Sequence, residues 1–151
     1  MNKAEISFYH LTTTKFINAL PKILDKIVSS QKRAIIVFSD EKKMDEMNLY
    51  LWSFSTKTVI PHGSSKDEFK EEQPVYLTLS NDNPNGADIV VVPVTMDYDN
   101  LNKFEKCLFI FDGNDEDELS LARQKWKKFK EAEHSLTYWK QNITGAWEKE
   151  G

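Results

Sequence analysis

The feature that most constrains the fold is a series of short runs that are apolar at nearly every position. These are "RAIIVFS" (33–39), "PVYLTL" (74–79), "DIVVVPV" (88–94) and "CLFIFDG" (107–113). They show little alternation of polar and apolar residues, so each predicts a strand that is buried on both sides. Strands of this kind occur in parallel sheets whose two faces are covered by helices.

Other segments complete an alternating order of strands and helices. "AEISFYHL" (4–11) predicts the first strand and "KTVIPH" (57–62) a short later one, and aromatic runs on both sides of 142–145 predict a terminal hairpin. Apolar residues recur with helical spacing in three segments, which are 12–31, 40–54 and 117–133. The spacing places Ser39 as the cap of the second helix, and Asp115 with Glu118 at the start of the third.

Together these patterns predict an α/β fold: a single domain over residues 1–151, with a mostly parallel central sheet and helices on both faces. A chain of 151 residues suits one domain. The polar segments 64–73 and 80–86 are too short to be interdomain linkers, so we interpret them as loops.

Composition excludes several classes of function. The net charge of −4 argues against a protein that coats nucleic acid over its whole surface, so a basic site must be local. A single cysteine, Cys107, excludes an internal disulfide, and its apolar surroundings predict a buried thiol. No apolar run is long enough to span a membrane, and residues 1–20 do not have the pattern of a signal sequence. We expect a cytoplasmic protein that does not contact membranes.

A doubly wound sheet raises the possibility of a nucleotide site. Such sites need a glycine-rich turn after the first strand, because the backbone must approach the phosphates closely. Here the first strand continues into "FYHLTTTKF" (8–16), which contains no glycine, and neither GxGxxG nor GxxxxGK[ST] occurs in the chain. The sequence therefore predicts a nucleotide-binding-like fold with no nucleotide site and no cofactor.

Catalytic and metal-binding patterns are also missing. His10, His62 and His134 lie in separate segments without metal-ligand spacing, and we interpret "PHG" (61–63) as a turn. The acidic run "DGNDEDE" (112–118) lacks the spacing of a calcium loop and is better explained as the start of a helix. We predict that the chain is not an enzyme.

Two tryptophans stand at unusual positions on their helices. In segment 40–54 the apolar arc contains Met44, Met47, Leu51 and Phe54, and Trp52 lies more than 100° from its centre. An aromatic residue off the core arc, followed by "VIPH" (59–62), has the composition of an interface anchor. The alternative is that Trp52 folds down over a strand edge.

In "LARQKWKKFK" (121–130), Trp126 stands at the border between an apolar arc and a positive one. Arg123, Lys127 and Lys130 form the positive arc. One interpretation is a packed tryptophan beside solvated lysines. The second is a groove for an acidic peptide with an apolar last residue, in which Arg123 holds a carboxylate. A third is direct binding of single-stranded DNA through the basic helix 117–133, and a nucleotide-binding enzyme is the alternative from another class.

The chain strongly resembles the chi subunit family of bacterial DNA polymerase III holoenzyme. The resemblance depends on an ordered set of segments between about residues 5 and 149: "FYHL", "DEMNLYLWSF", "IPHG", "QPVYLT", "NGADIVVV", "LFIFDG" and "LARQKWKKFK". It implies a non-catalytic accessory protein of the clamp-loader assembly, with a nucleotide-binding-like fold that holds no nucleotide. It also implies binding to the acidic C-terminal tail of single-stranded DNA-binding protein, and hence an indirect link to DNA.

The resemblance also assigns roles to residues. It implies that the tail site lies on Arg123, Trp126 and Lys127, together with Lys130, and that Trp126 takes the place of a tyrosine common in the family. A second surface, facing the psi subunit or another clamp-loader component, maps to Trp52 and to a stretch formed by Val59, Ile60, Pro61 and His62.

Overall fold

The computed structural model describes residues 4–53, 61–64, 70–80, 83–98 and 101–150. This part of the chain contains eight strands and three α-helices. The strands are β1 (Glu5–Leu11), β2 (Ala34–Val37), β3 (His62–Ser64), β4 (Val75–Thr78), β5 (Ile89–Pro93), β6 (Lys106–Asp112), β7 (Ser135–Gln141) and β8 (Trp147–Lys149). The helices are α1 (Phe16–Ser29), α2 (Glu41–Ser53) and α3 (Glu116–Glu131).

All eight strands belong to one sheet with the order β3-β4-β2-β5-β6-β1-β7-β8. Every neighbouring pair is parallel except β7 and β8, which form the antiparallel hairpin predicted near 142–145. The predicted α/β fold with a mostly parallel sheet is confirmed. Strands β2 and β5 lie within 33–39 and 88–94, and 107–111 lies within β6.

Helices cover both faces of the sheet, as predicted. On one face α1 and α2 pack through Leu20, Leu24, Met44 and Met47, all of which are buried. On the other face α3 packs through Ala122, with Leu119, Trp126 and Phe129 half-buried beside it. The β-strand alternation separates these two layers, because consecutive residues of a strand point to opposite faces.

Some local details differ from the sequence prediction. His62 and Gly63 of "PHG" belong to β3, so this segment is not a turn. Residues 57–60 of the strand expected at 57–62 lie outside the described residues. The cap of α2 is Asp40, whose Oδ1 accepts from the Lys43 amide at 2.7 Å, and not Ser39. Both the strand position of His62 and the cap at Asp40 depend on hydrogen bonds, and the spacing of apolar residues does not predict these.

The start of α3 is close to the prediction. The Asp115 side chain accepts hydrogen bonds from the amides of Asp117 and Glu118, so Asp115 is the N-cap. Glu118 does not complete a capping box with Asp115; its Oε1 accepts from the Asp112 amide at 3.2 Å and so ties the helix to the end of β6. Burial is the main factor that raises the pKa of this carboxyl group.

Phe8, at the middle of β1, is the centre of an aromatic cluster that attaches α3 to the sheet. Its ring lies 5.4 Å from the ring centres of both Phe109 and Trp126, and 6.3 to 6.5 Å from three others. The aromatic cluster consists of Phe8, Phe109, Phe111, Trp126, Phe129 and Tyr138. Its members come from β1, β6, α3 and β7, so a single buried side chain connects all four elements.

We expect Phe8→Ala to destabilise the protein severely. Removing a fully buried phenylalanine costs about 3–5 kcal/mol through lost transfer energy and an unfilled cavity. Urea unfolding would measure the change, with Phe16→Ala as the control because Phe16 is only half-buried at the edge of the other layer. Equal losses in the two variants would show that the aromatic cluster has no special role.

Candidate binding cleft

The connections of the sheet create a crevice at the carboxyl ends of β1 and β6. These strands are neighbours, but α1 follows β1 on one face while α3 follows β6 on the other. The two connections therefore leave the sheet on opposite faces at this point, and open α/β sheets bind their ligands at the carboxyl ends of the strands.

A cleft of about 580 Å³ lies beside this point, on the α3 side of the sheet. Its lining residues come from β1 and the turn after it, from Gly113, from α3, from β7 and from the end of the described chain. They are His10, Thr12, Gly113, Leu119, Arg123, Tyr138, Lys140 and Glu150. The cleft is open to solvent, so a flexible segment of another molecule could enter it.

In the turn after β1, the backbone N–H groups that could bind a phosphate already have an acceptor within the protein. The backbone N–H groups of Thr12, Thr13 and Thr14 all donate to Oε1 of Gln141, at 3.1, 3.1 and 3.2 Å. Gln141 is buried and also donates through Nε2 to the Thr14 hydroxyl at 2.8 Å. In a nucleotide-binding turn these amides would face a phosphate, whereas here an internal amide oxygen occupies them.

Gly113 allows the end of β6 to approach β1 closely. Its amide donates to the Leu11 carbonyl at 2.8 Å. A Cβ atom at this position would overlap the imidazole of His10 and crowd the Leu11 carbonyl, so any larger residue would displace His10 from the cleft. The glycine that ends "LFIFDG" therefore shapes the floor of the cleft.

His10 and Tyr138 form the polar centre of the cleft. The His10 Nδ1 and Tyr138 hydroxyl are 2.7 Å apart, so they share a hydrogen bond. Burial, followed by the positive charges of Lys140 and Arg123, lowers the pKa of His10, although Glu150 and Asp112 oppose this. Burial raises the pKa of Tyr138. At neutral pH both groups are therefore uncharged, and the nearby cations set the local potential.

The four residues predicted on α3 do not all line the cleft. Arg123 lines it and is exposed, whereas Lys127 and Lys130 are exposed on α3 outside the lining. Trp126 is half-buried behind the cleft, where it packs edge-on against Phe8 and against Tyr138 at 5.5 Å. The aromatic surface that the cleft offers is therefore the ring of Tyr138, held in place by Trp126.

Sequence reasoning did not identify His10, Tyr138, Lys140 or Glu150 as parts of this cleft. Of these, His10 could have been found, because it lies near the carboxyl end of the first predicted strand, where parallel sheets place their ligands. The others come from β7 and the end of the hairpin. They reach the cleft only because β7 pairs with β1 across more than 120 residues of chain, and spacing along the sequence does not reveal that pairing.

The second predicted surface is partly described. Trp52 is 56% exposed, and its ring lies 4.4 Å from that of His62 in the edge strand β3, so features of both interpretations are present. His62 is buried, and its Nε2 is 3.1 Å from the carbonyl oxygen of Asn48. Leu49, on the same helix, is 70% exposed.

The remaining residues assigned to that surface are the stretch before His62. Pro61 is exposed, while Val59 and Ile60 lie outside the described residues. The exposed side chains of Trp52, Leu49 and Pro61 thus lie close to the buried imidazole of His62 in the chain or in space.

The structure also bears on the cysteine, on metal binding and on membrane-spanning helices. Cys107 is buried, and burial raises its pKa to about 12, so it remains a thiol at neutral pH. Among the described residues, His, Cys, Asp and Glu side chains do not gather into a metal-binding group. In the same part of the chain, no helix is long and apolar enough to cross a membrane.

The order of the strands and the position of the cleft define the class of protein. It is an α/β domain with a mostly parallel sheet, in which Gln141 fills the turn after β1 from within and the cleft exposes cations. Residues 3–137 match the family described as "DNA polymerase III chi subunit, HolC", and the chain belongs to this family of replication accessory subunits. It is also 29% identical, over 152 residues, to the "Probable DNA polymerase III subunit chi" of Rickettsia prowazekii (strain Madrid E), an alignment that covers 96% of this chain and 91% of the relative.

The electrostatics of the cleft can be tested on His10. Its NMR titration midpoint should lie below the ordinary value of 6.5, because burial and two cations disfavour the imidazolium. Lys140→Ala should raise the midpoint, since one positive charge is removed, and Arg123→Ala should raise it less. Lys127→Ala, outside the lining, is the control. A midpoint at or above 6.5 in the parent protein would contradict this description.

Proposed function

We propose that the cleft binds the acidic C-terminal tail of single-stranded DNA-binding protein and thereby links the polymerase assembly to coated template. In this proposal residues 1–151 act as one chi-like, non-catalytic domain in the cytoplasm, and DNA is reached only indirectly. The observation that carries the proposal is the position of Arg123, an exposed arginine in a cleft at the carboxyl end of β1, beside an aromatic ring.

The charges of the cleft fit an acidic chain end. Arg123 and Lys140 come from different elements, α3 and β7, and both line the cleft. Neither side chain forms a hydrogen bond or ion pair with another residue in the part of the chain that the structure describes. An arginine fork can hold a carboxylate through two parallel hydrogen bonds, which suits a terminal carboxylate better than a point charge does.

The apolar part of the cleft fits an aromatic last residue. Leu119 and the half-buried ring of Tyr138 provide the apolar surface, and Trp126 supports that ring from behind. Lys127 and Lys130 continue along the exposed side of α3, where they can attract acidic residues that precede the chain end. Trp126 thus acts by positioning Tyr138, and the lysines act outside the lining.

The two alternatives fit the structure less well. A nucleotide site would need the amides of Thr12 to Thr14, which Gln141 engages. Direct binding of single-stranded DNA through α3 would need exposed aromatic rings for base stacking. The rings of Trp126 and Phe129 instead pack into the aromatic cluster, and the first turn of the helix carries Glu116, Asp117 and Glu118.

We further propose that the surface formed by Trp52, Val59, Ile60, Pro61 and His62 contacts the psi subunit or another clamp-loader component. The observation that favours it is the 56% exposure of Trp52 beside the exposed side chain of Leu49. Exposed tryptophans are over-represented among the residues that dominate binding energy at protein interfaces.

Arg123→Ala should weaken binding of the tail by about tenfold or more, because one shielded charge-assisted hydrogen bond is worth about 1.5–3 kcal/mol. The fold should be unaffected, since Arg123 is exposed. Titration with a short acidic peptide ending in phenylalanine would measure the loss, and affinity in the parent should decline with salt.

Two matched variants sharpen this test. Lys128→Ala removes an exposed cation from the same helix outside the cleft and should leave binding nearly unchanged. Glu150→Gln removes the acidic group of the lining and should strengthen binding about two- to fivefold, since an exposed charge interaction is worth about 0.2–1 kcal/mol. Unchanged affinity in Arg123→Ala would place the tail site elsewhere.

Trp52→Ala should cost about 1 kcal/mol or less in the free energy of unfolding, because more than half of the side chain is exposed. It should weaken binding to the clamp-loader assembly in a pull-down with reconstituted components. Trp126→Ala is the control for stability and should lose about 3 kcal/mol or more, since that ring belongs to the aromatic cluster. If Trp52→Ala is equally destabilising, Trp52 serves packing and the interface proposal is wrong.

A further inference from the structure

A second cavity lies on the opposite face of the sheet from the cleft. It is a slot of about 340 Å³ between α1 and the β7–β8 hairpin. Ile23 and Ile27 of α1 form one wall, and Ile89 and Leu108 form part of the floor. The volume suits one large side chain or small ligand, and such aliphatic surfaces favour an apolar group.

The other wall of the slot is aromatic. Tyr9 and Trp139 stack at 6.4 Å with their planes 16° apart, and Trp147 meets Tyr9 edge-on at 5.0 Å. All three residues line the slot. The hairpin that follows α3 therefore supplies two of the three rings, and this is the segment for which neither the sequence nor the family resemblance provided a role.

Lysines surround this apolar slot. Lys22 and Lys26, one helical turn apart on α1, and Lys106 of β6 all belong to the lining, which contains no acidic residue among those described. Lys22 and Lys26 make no ion pair within the described residues. Lys106 has Glu5 at 3.9 Å, a pair of exposed side chains that contributes little. The mouth of the slot is thus positive.

One hydrogen-bond donor at the slot has no acceptor. The indole Nε1 of Trp139 is buried and has no hydrogen-bond partner in the part of the chain that the structure describes. A buried N–H without an acceptor costs free energy, so native structures seldom leave one unused. This N–H is also closed to solvent, so an oxygen atom of a ligand in the slot would reach it only if the indole turned.

We propose that the slot binds an acidic peptide segment of a partner protein, with one aromatic side chain inserted between α1 and the hairpin. The inserted ring would pack against Tyr9, Trp139 and Trp147, and flanking carboxylates would meet Lys22, Lys26 and Lys106. A nucleobase fits less well, because its edge carries several polar atoms and the walls of the slot are aliphatic and aromatic. The site is separate from the cleft, so this proposal does not depend on the proposed function.

The four tryptophans of the chain allow a direct test. Their indole N–H signals, assigned by single Trp→Phe variants, report on three surfaces: Trp126 on the cleft, Trp52 on the α2 surface, and Trp139 with Trp147 on the slot. The probe is a peptide with one internal phenylalanine between aspartates, acetylated and amidated so that it has no terminal carboxylate. Arg123→Ala protein should be used, to suppress binding in the cleft.

We expect the Trp139 signal to shift most and to saturate, because the inserted ring would lie against the stacked pair of Tyr9 and Trp139. The same peptide with alanine in place of phenylalanine should bind about tenfold more weakly or worse, since the buried ring supplies most of the apolar contact. Reversing two charges with Lys22→Glu and Lys26→Glu should also weaken binding about tenfold. The control pair Lys42→Glu and Lys103→Glu changes the net charge equally at exposed positions outside the slot and should have little effect.

Three results would overturn the proposal. The Trp139 signal could remain unchanged at millimolar peptide. Alternatively, the peptide could shift this signal equally in the Lys22→Glu/Lys26→Glu protein and in the Lys42→Glu/Lys103→Glu control. A short oligothymidylate could move the Trp139 signal when the peptide does not, which would make the slot a nucleic-acid site. None of these results bears on the cleft, because the cleft is tested by Arg123 and the tail peptide in otherwise unmodified protein.

Discussion

The packing of aromatic rings around Phe8 determines where the candidate site lies. Phe8 is at the centre of β1, and its ring contacts rings from β6, α3 and β7. These are also the elements that line the cleft, so the packing that stabilises this layer also fixes the distances between Arg123, Tyr138 and His10. Aromatic pairs contribute beyond the area they bury, because their edges and faces carry opposite partial charges.

Much of the fold could be predicted from the sequence, because the determining pattern is local. Runs without polar alternation identified the buried strands, and helical spacing identified α1, α2 and α3. The order of the strands was not accessible in this way, because it depends on pairings between distant segments, such as β1 with β7. His62 illustrates the difference: "PHG" resembles a turn locally, yet pairing with β4 makes it the first residue of a strand.

The candidate site was predictable to a similar extent. The helical arc placed Arg123 on an exposed face, and the structure places it in the cleft. The same arc placed Trp126 at a border, and only the structure shows that its ring turns inward against Tyr138. The β7–β8 hairpin brings Lys140 and Glu150 to the cleft, and its position depends on contacts with the turn after β1. Side chains that meet through tertiary pairing leave no signal in local spacing.

The hydrogen bonds between Gln141 and the turn after β1 have a consequence for how the chain folds. They join residues 127 to 129 positions apart, and β1 also pairs on both sides with strands from the last third of the sequence. Closing such long loops costs chain entropy, which slows folding. During synthesis β1 leaves the ribosome long before β6 and β7. Until those strands are made, both edges of this apolar strand have unpaired backbone N–H and C=O groups. Completion of the N-terminal strand therefore depends on the hairpin, and a chain interrupted before Gln141 would leave its first turn without the side chain that closes it.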